Sequence, residues 1–435
     1  MTVTIVRARV MHTPHDPFGP GGEGALECFE DGAVAFAEGR ILATGDFPPV
    51  GGAYPDATIV DARDALLLPG LVDTHVHWPQ LGIVGTMGLE LLDWLRVRTL
   101  PEEARLADPD YAGALAQDFV RALAASGTTT ALVFGSHFPA AQELLFAEAE
   151  RSGLRIASGL VVSDRDLLPE LRTSPDAAYD AGLELAQRWH GRGRLRFAVM
   201  PRFSISCSEQ MLESCGALAS ELEGALVTTH INESADEVQA VADWFPWAGD
   251  YLETYERHGL VGPATVLAHD VHVTDGELAR LAAARAGIAN CPSSNAFLGS
   301  GIFPMRRHLD FGVRFGLGTD VGAGTGLGVL KEGLMSYQAQ RLAPDGVRMG
   351  PAHLLWLATA AGAHVLGIGD QVGDLAPGKE ADFVLLRAPA GGTLEAALAR
   401  SESAEQALGA VLTLAREESV VEARVAGESV YTRAE

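Results

Sequence analysis

Residues 66–80 read LLLPGLVDTHVHWPQ and decide how the rest of this chain is interpreted. A short apolar run of this kind is typical of a buried strand. Along a strand, residues i and i+2 point to the same face, so His75 and His77 project together with Cα atoms ~6.6 Å apart. Two imidazoles on one face can be core histidines or can converge on a cation. Which of the two applies depends on whether the rest of the chain supplies partners.

The composition is that of a globular protein and restricts its partners. The chain has 435 residues, of which 47% are apolar and 20% charged, with a net charge of -25. An excess of 57 acidic over 32 basic residues argues against nucleic acid and against an anionic membrane as partners. The four cysteines show no paired spacing, and the N-terminus has no signal-peptide pattern. We therefore expect a cytoplasmic protein that makes no contact with membranes.

The two ends of the chain share a sequence pattern typical of short β-strands, which the middle of the chain lacks. Residues 1–67 and 371–435 contain short β-rich runs bounded by Gly and Pro, such as TVTIVRARV and ADFVLLR. We interpret them as the two parts of one small β-sandwich domain. Residues 68–370 form the middle and are expected to be a catalytic barrel.

The middle alternates apolar runs with Ala- and Leu-rich helical segments. Such alternation predicts βα units and a parallel sheet, and eight units in about 300 residues fit an α/β fold of the (β/α)8 TIM-barrel type. An open doubly wound sheet is the alternative, but no G-x-G-x-x-G follows the first strand and no P-loop is present. The eight predicted strands lie at 70–77, 128–135, 155–162, 195–203, 225–232, 264–270, 286–295 and 313–322.

In such barrels the reactive side chains lie at the carboxyl ends of the strands. Strand one ends in His75 and His77, strand five in His230, strand six in His269 and strand eight in Asp320. Taken singly, each could be a hydrogen-bonded strand-end residue or a turn residue. Together they form a ligand set suited to zinc or a similar divalent ion. His137 and His272 also lie near strand ends and are weaker candidates.

The segments DTHVH, HINE, AHD and GTD, in this order, resemble the amidohydrolase superfamily, as does APGKEADFVLL at 376–386. HWPQ, PRFSISCSEQM, HINES, CPSSNAFLGSG and GLGTDVGAGT further resemble the guanine deaminase family. Two positions depart from that pattern: Asp270 stands where Cys or Gly is expected, and Gly326 where a hydroxyl residue is common.

The resemblance implies a metal site held by His75, His77, His230 and Asp320. It implies zinc, with Fe²⁺ as the alternative, and a homodimer. Two-metal members of the superfamily commonly bridge their ions with a carboxylated lysine from a middle strand. Both lysines of this chain, at 331 and 379, follow Asp320, so we expect one ion per subunit. His269 is expected to hold the attacking water, with direct ligation of the metal as the alternative.

The implied reaction is hydrolytic deamination of guanine to xanthine and ammonia, a step of purine metabolism. Metal binding lowers the pKa of water toward ~7, and the activated water would attack C2 of guanine. Glu233, three residues after His230, is the expected general base and then acid. Asp320 can also accept a proton and help protonate the departing ammonia.

Substrate specificity is expected from residues that match a guanine edge. Arg202, at the end of strand four, only donates hydrogen bonds and suits the O6 carbonyl. Gln80 can both donate and accept, and Phe203 is expected either to pack against the ring or to be a core aromatic residue. His230 and Asp320 complete the predicted substrate-binding set.

Three other functions compete with this interpretation. A related aminohydrolase acting on 8-oxoguanine, cytosine or an amino-triazine would share the metal site. A non-enzymatic scaffold on a decayed barrel predicts lost ligands, and none is lost. The other zinc deaminase fold needs H-x-E with P-C-x-x-C, whereas CPSSN lacks the second cysteine.

The stretch LGIVGTMGLELLDWLRVRTLP at 81–101, which follows the first predicted barrel strand, is a candidate lid.

Overall fold

The computed structural model describes residues 2–20, 22 and 24–434. Its strands divide between two sheets, one of which is the barrel. The strands are β1 (Thr4–His12), β2 (Glu27–Ala37), β3 (Arg40–Asp46), β4 (Thr58–Pro69), β5 (Leu71–His77), β6 (Thr128–Phe134), β7 (Arg155–Ser158), β8 (Val161–Val162), β9 (Arg196–Pro201), β10 (Leu226–Ile231), β11 (Thr265–His269), β12 (Gly287–Asn290), β13 (Arg314–Leu317), β14 (Phe383–Leu386), β15 (Val420–Val425) and β16 (Glu428–Thr432).

The barrel is built from parallel strands in the order β5, β6, β7, β9, β10, β11, β12, β13, with the short β8 paired to β9. The ring is completed where the chain leaving β13 meets β5. There the Asp320 N–H donates to the His75 carbonyl, and the His77 N–H donates to the Val321 carbonyl, both at 2.9 Å. The predicted α/β fold of the (β/α)8 type, with a small domain from both termini, is confirmed.

Three of the eight predicted strands differ in detail from the structure. The strand predicted at 313–322 ends at Leu317, and the rest of that run is a loop. The run at 155–162 is interrupted between β7 and β8, because Gly159 lies so close to β9 that a Cβ would meet the Ala198 carbonyl oxygen at 1.8 Å. The run at 286–295 ends as a strand at Asn290 and continues as a helix. Pro292 starts that helix at its first position, where its missing N–H costs no hydrogen bond.

Helices alternate with the barrel strands as the sequence predicts. Several begin at serine or threonine caps, such as Ser208, Ser234 and Thr274, whose side chains accept a backbone N–H of the first turn. The helices are α1 (Phe47–Ala53), α2 (Leu91–Trp94), α3 (Leu100–Ala104), α4 (Pro109–Ala125), α5 (Pro139–Ser152), α6 (Pro175–Trp189), α7 (Glu209–Glu221), α8 (Ala235–Trp244), α9 (Tyr251–Glu256), α10 (Asp275–Ala284), α11 (Pro292–Phe297), α12 (Met305–Phe311), α13 (Val329–Leu342), α14 (Pro351–Ala358), α15 (Ala360–Val365), α16 (Thr393–Leu398) and α17 (Ala404–Leu414).

The barrel strands are apolar on both faces because both faces are covered. Alternate residues such as Leu132 and Met200 fill the interior of the barrel. Their neighbours Val133 and Val199 point outward and join the larger core formed with the surrounding helices. This explains why these strands read as continuous apolar runs rather than as alternating ones.

The small domain is a sheet in the order β16, β15, β14, β4, β1, β2, β3, with strands from both ends of the chain. Although β2 and β14 are three places apart in that order, the rings of Phe36 and Phe383 lie 5.9 Å apart. A flat sheet would separate them by about three strand spacings of ~4.8 Å. The sheet therefore folds back over its own apolar face, as the predicted sandwich requires.

The stretch at 66–80 joins the two domains. β4 ends at Pro69 in the small sheet, and β5 begins at Leu71 in the barrel. Gly70 lies between them, and a Cβ there would meet the Thr129 hydroxyl oxygen at 2.1 Å, so only glycine fits. Among the residues that the structure describes, no helix combines the length and apolar character needed to cross a membrane.

We predict that Leu67→Ala lowers the free energy of unfolding by about 2–5 kcal/mol, because Leu67 is fully buried at the centre of the small domain. Leu342→Ala is the matched control, since Leu342 is 80% exposed and its truncation should cost less than about 0.5 kcal/mol. Urea denaturation of both variants measures the difference. Equal losses would contradict this role of Leu67.

Candidate active site

The five predicted metal-site residues lie together at the carboxyl end of the barrel. His75 and His77 are on β5, His230 is on β10 and His269 ends β11, while Asp320 follows β13. Two of them have left-handed backbone conformations, with φ of +77° at His269 and +47° at Asp320. Such conformations are uncommon for residues other than glycine and concentrate at functional sites.

Their polar atoms face one another at short range. The Nε2 atom of His77 lies 3.0 Å from Nε2 of His75 and 3.2 Å from Nε2 of His230. The Oδ1 atom of Asp320 lies 3.3 Å from Nε2 of His75 and 3.2 Å from Nε2 of His77. His269 is slightly farther away, with its Nε2 atom 3.8 Å from Oδ2 of Asp320.

Contacts at the opposite ring nitrogen fix the protonation of two of these histidines. His230 Nδ1 lies 2.7 Å from the Arg202 carbonyl, and His269 Nδ1 lies 2.9 Å from Oδ1 of Asn295. Because both partners are acceptors, each Nδ1 carries the proton and each Nε2 presents a lone pair. Burial lowers the pKa of His77 to about 4 and that of His230 well below its usual value, so both rings are neutral.

This donor set fits a divalent metal ion. Neutral imidazole nitrogens and a carboxylate are ligands that zinc and iron accept. The Nε2 atoms of His75 and His77 lie 3.0 Å apart in a site that is almost completely buried, close enough for one cation to accept a lone pair from each. Overlapping groups of His, Asp and Cys291 offer ligand atoms within 4.8 Å of one another around this single point.

Both lysines bond elsewhere in the described part of the chain. Lys331 Nζ donates to the Thr325 carbonyl at 2.8 Å, and Lys379 Nζ pairs with Asp374 at 2.5 Å. Neither is on a barrel strand, which agrees with the expectation of a site without a bridging lysine.

Glu233 lies beside this cluster on the loop after β10. Its Oε2 atom is 3.4 Å from His269 Nε2, and its Oε1 atom accepts from the Ser300 hydroxyl at 3.5 Å. The loop is held by Glu237, whose carboxylate accepts the Glu233 N–H at 2.8 Å. Burial, with the nearby charges of Glu237 and Asp320, raises the pKa of Glu233 well above its usual value, as suits a group that gains and loses a proton.

A cavity opens directly onto these groups, with about 380 Å³ of empty space when its solvent-filled mouth is included. Its remaining wall is apolar and includes Leu91, Trp94 and Leu298. The predicted site residues that line it are His77, Gln80, Arg202, Phe203, His230, Glu233, His269 and Asp320. His75 lies beneath them in the cluster.

Glu103, which no sequence pattern indicates, is buried next to the predicted substrate residues. It accepts hydrogen bonds from Arg202 Nη1 at 2.5 Å and from Gln80 Nε2 at 2.9 Å. Glu103 is on α3, two residues past the end of the candidate lid and not at a strand end, so neither strand periodicity nor barrel topology could find it. His137 also lies here, with Nε2 3.4 Å from Glu103 Oε2. His272 instead bonds the Ser300 carbonyl at 2.8 Å.

Asp270, which departs from the guanine deaminase pattern, follows His269 and is hydrogen-bonded to two side chains, His308 and Asn232. It is fully buried, with Oδ2 2.9 Å from His308 Nε2 and Oδ1 accepting from Asn232 Nδ2 at 3.0 Å. Asp270 does not line the cavity, and its partners account for a carboxylate at this position.

A (β/α)8 barrel with imidazoles and a carboxylate converging at its strand ends defines a candidate metal-dependent hydrolase. Residues 66–424 match the model of the amidohydrolase family. The chain therefore belongs to the amidohydrolase family.

Comparison with individual proteins shows which members of the amidohydrolase family the chain is similar to in sequence and structure. It is 51% identical to a probable guanine deaminase of Deinococcus radiodurans, and the match covers 99% of each chain. The structure of E. coli guanine deaminase superposes with a TM-score of 0.94 at 34% identity, covering 100% of both chains. That of guanine deaminase from Bradyrhizobium japonicum gives a TM-score of 0.94 at 32% identity, again covering 100% of both. Within its family, the chain falls among the guanine deaminases.

We predict that Asp73→Asn destabilises the protein by about 1–3 kcal/mol, because a buried amide donor would replace an acceptor. The Asp73 carboxylate accepts from the N–H of Thr319 at 3.0 Å, from the Thr319 hydroxyl at 2.5 Å and from the His75 N–H at 3.2 Å. Asp56→Asn, on an exposed turn, is the matched control. Chemical denaturation compares them, and equal stabilities of the two variants would contradict the prediction.

Proposed function

We propose that this protein catalyses the zinc-dependent hydrolytic deamination of guanine to xanthine and ammonia, with one zinc ion per subunit. The observation that carries the proposal is one cavity in which Arg202 and Gln80 face the His/Asp cluster and Glu233. Recognition groups for a purine edge and groups for activating water thus share one small space. The guanine deaminases among its relatives support the same reaction.

Substrate binding is assigned to residues on three sides of the cavity. Arg202 forms its hydrogen bonds to Glu103 and His137 through Nη1, which leaves Nε and Nη2 without partners in the described part of the chain. These donors suit the O6 acceptor of guanine. Gln80 keeps one N–H and one oxygen lone pair for the purine edge, since its other groups bond Glu103 and the Gly322 N–H. Phe203 lines the cavity and offers a ring face for packing.

The metal would be held by His75, His77, His230 and Asp320. When bound, a zinc ion lowers the pKa of water toward ~7 and stabilises developing negative charge. His269 is assigned to the water, because its Nε2 atom lies near both Glu233 and Asp320.

Proton transfer is assigned to the two carboxylates. Glu233 accepts a proton from the water that attacks C2 and delivers it to the adjacent ring nitrogen. Asp320 accepts the second proton as the C2 hydroxyl becomes a carbonyl, and passes it to the amine as the C–N bond breaks. Guanine and water thereby give xanthine and ammonia, with every proton accounted for. The cytoplasmic location and homodimeric state expected from the sequence stay part of this proposal.

The test is to incubate the purified protein with guanine and follow xanthine and ammonia, before and after treatment with a chelator. We expect turnover that is lost with the metal and restored by zinc, with one ammonia released per xanthine formed. The absence of guanine turnover in metal-loaded protein would overturn the guanine assignment. The same assay with 8-oxoguanine, cytosine and amino-triazines would then identify the substrate.

We predict that Glu233→Gln lowers kcat on guanine by about 10²–10⁴-fold, because the amide can neither accept nor deliver the proton. KM should change much less, since the variant keeps the shape of the cavity. Glu213→Gln, on the exposed face of α7, is the matched control and should retain full activity. Steady-state kinetics measure both variants, and a loss of less than tenfold in the Glu233 variant would contradict the assigned role.

A further inference from the structure

Glu103 connects two residues that the proposed function assigns to the substrate. Its two carboxylate oxygens are divided between them: Oε2 accepts from Arg202 Nη1 at 2.5 Å, and Oε1 accepts from Gln80 Nε2 at 2.9 Å. Only 3% of Glu103 and 3% of Arg202 is exposed. Glu103 therefore depends on protein groups, rather than on water, for its hydrogen bonds.

The charges in this cluster also balance. Although burial alone would raise the pKa of Glu103, the Arg202 charge and hydrogen bonds from His137 and Arg202 hold it below its usual value. Glu103 is therefore ionised and neutralises the guanidinium of Arg202. A buried guanidinium without this partner would carry a large desolvation cost.

Glu103 lies two residues past the end of the candidate lid and contacts two residues that line the cavity, Gln80 and Arg202. The cavity-lining residues Leu91, Trp94 and Leu95 precede it on α2 and on the π-helical turn Leu95–Thr99, which continues directly into α3. The contact with Arg202, at the end of β9, thus ties this segment to a barrel strand 99 residues away in sequence.

We propose that Glu103 is a positioning residue for substrate specificity: it fixes Arg202 and Gln80 so that the free donors of Arg202 select a purine with an oxo group at C6. This inference rests on the proposed function. It assigns the selection to three residues acting together, because neither Arg202 nor Gln80 has another carboxylate partner among the described residues.

The isosteric substitution Glu103→Gln tests the idea. An amide offers one acceptor oxygen where Glu103 offers two, and its NH2 group would face a donor of either Gln80 or Arg202. One of the two substrate residues is then released from its position. Losing a hydrogen bond to a charged group should weaken binding of a 6-oxopurine by about tenfold or more.

The readout is a pair of competitive ligands that differ at C6, hypoxanthine with the oxo group and purine without it. We would measure their inhibition constants against guanine turnover and their dissociation constants by calorimetry, which needs no turnover. In the Glu103 variant we expect the inhibition and dissociation constants of hypoxanthine to rise about tenfold or more. The same constants of purine should change by less than about threefold. An unchanged metal content and purine affinity would show that the cavity is intact.

Glu102→Gln is the matched control. Glu102 is the neighbouring residue on α3 and is also buried, but it pairs with Arg105 and Tyr111 away from the cavity. We expect its ratio of hypoxanthine to purine affinity to equal that of the wild type.

Two outcomes would overturn the inference. An unchanged affinity ratio in the Glu103 variant would do so, and so would an equal loss for both ligands, which would assign Glu103 a merely structural role. If the wild type deaminates guanine and the ratio is unchanged, only this inference fails. If the wild type neither deaminates guanine nor binds either purine, the proposed function fails with it.

Discussion

The arrangement on which the rest of the site depends is the convergence of imidazole Nε2 atoms and the Asp320 carboxylate at one end of the barrel. These donor atoms lie 3.0–3.3 Å apart in a buried space, close enough for one cation to accept a lone pair from each. Three surrounding contacts keep them there: Asn295 and the Arg202 carbonyl orient two rings, and Asp73 joins the strand of His75 to Thr319, next to Asp320. Much of the buried polar structure at this end of the barrel maintains the cluster.

The substrate side of the cavity is built differently. Its recognition groups come from the short helical turn after β5, from the end of β9 and from α3, and they meet through the Glu103 carboxylate. The metal ligands are fixed by strands, whereas recognition depends on a contact between a barrel strand and a helical segment beside the cavity. This division allows the substrate to change within a family while the chemistry at the strand ends is kept.

The sequence was sufficient to predict the barrel and the convergence of His75, His77, His230, His269 and Asp320, because both follow from strand periodicity and parallel topology. Glu103 could not be predicted, since its role depends on a contact between α3 and Arg202, 99 residues away in sequence, which no local pattern encodes. A helix starts at Pro292 where the sequence pattern predicts strand, because apolar runs of that length do not distinguish the two. The roles assigned to the individual site residues stay predictions.

Metal analysis combined with anomalous diffraction at the zinc absorption edge tests the central claim most directly. We predict one ion per chain, bound by Nε2 atoms of His75, His77 and His230 and by a carboxylate oxygen of Asp320. Two ions, or an ion bound outside this cluster, would contradict the account. So would protein that deaminates guanine at full rate with no metal bound.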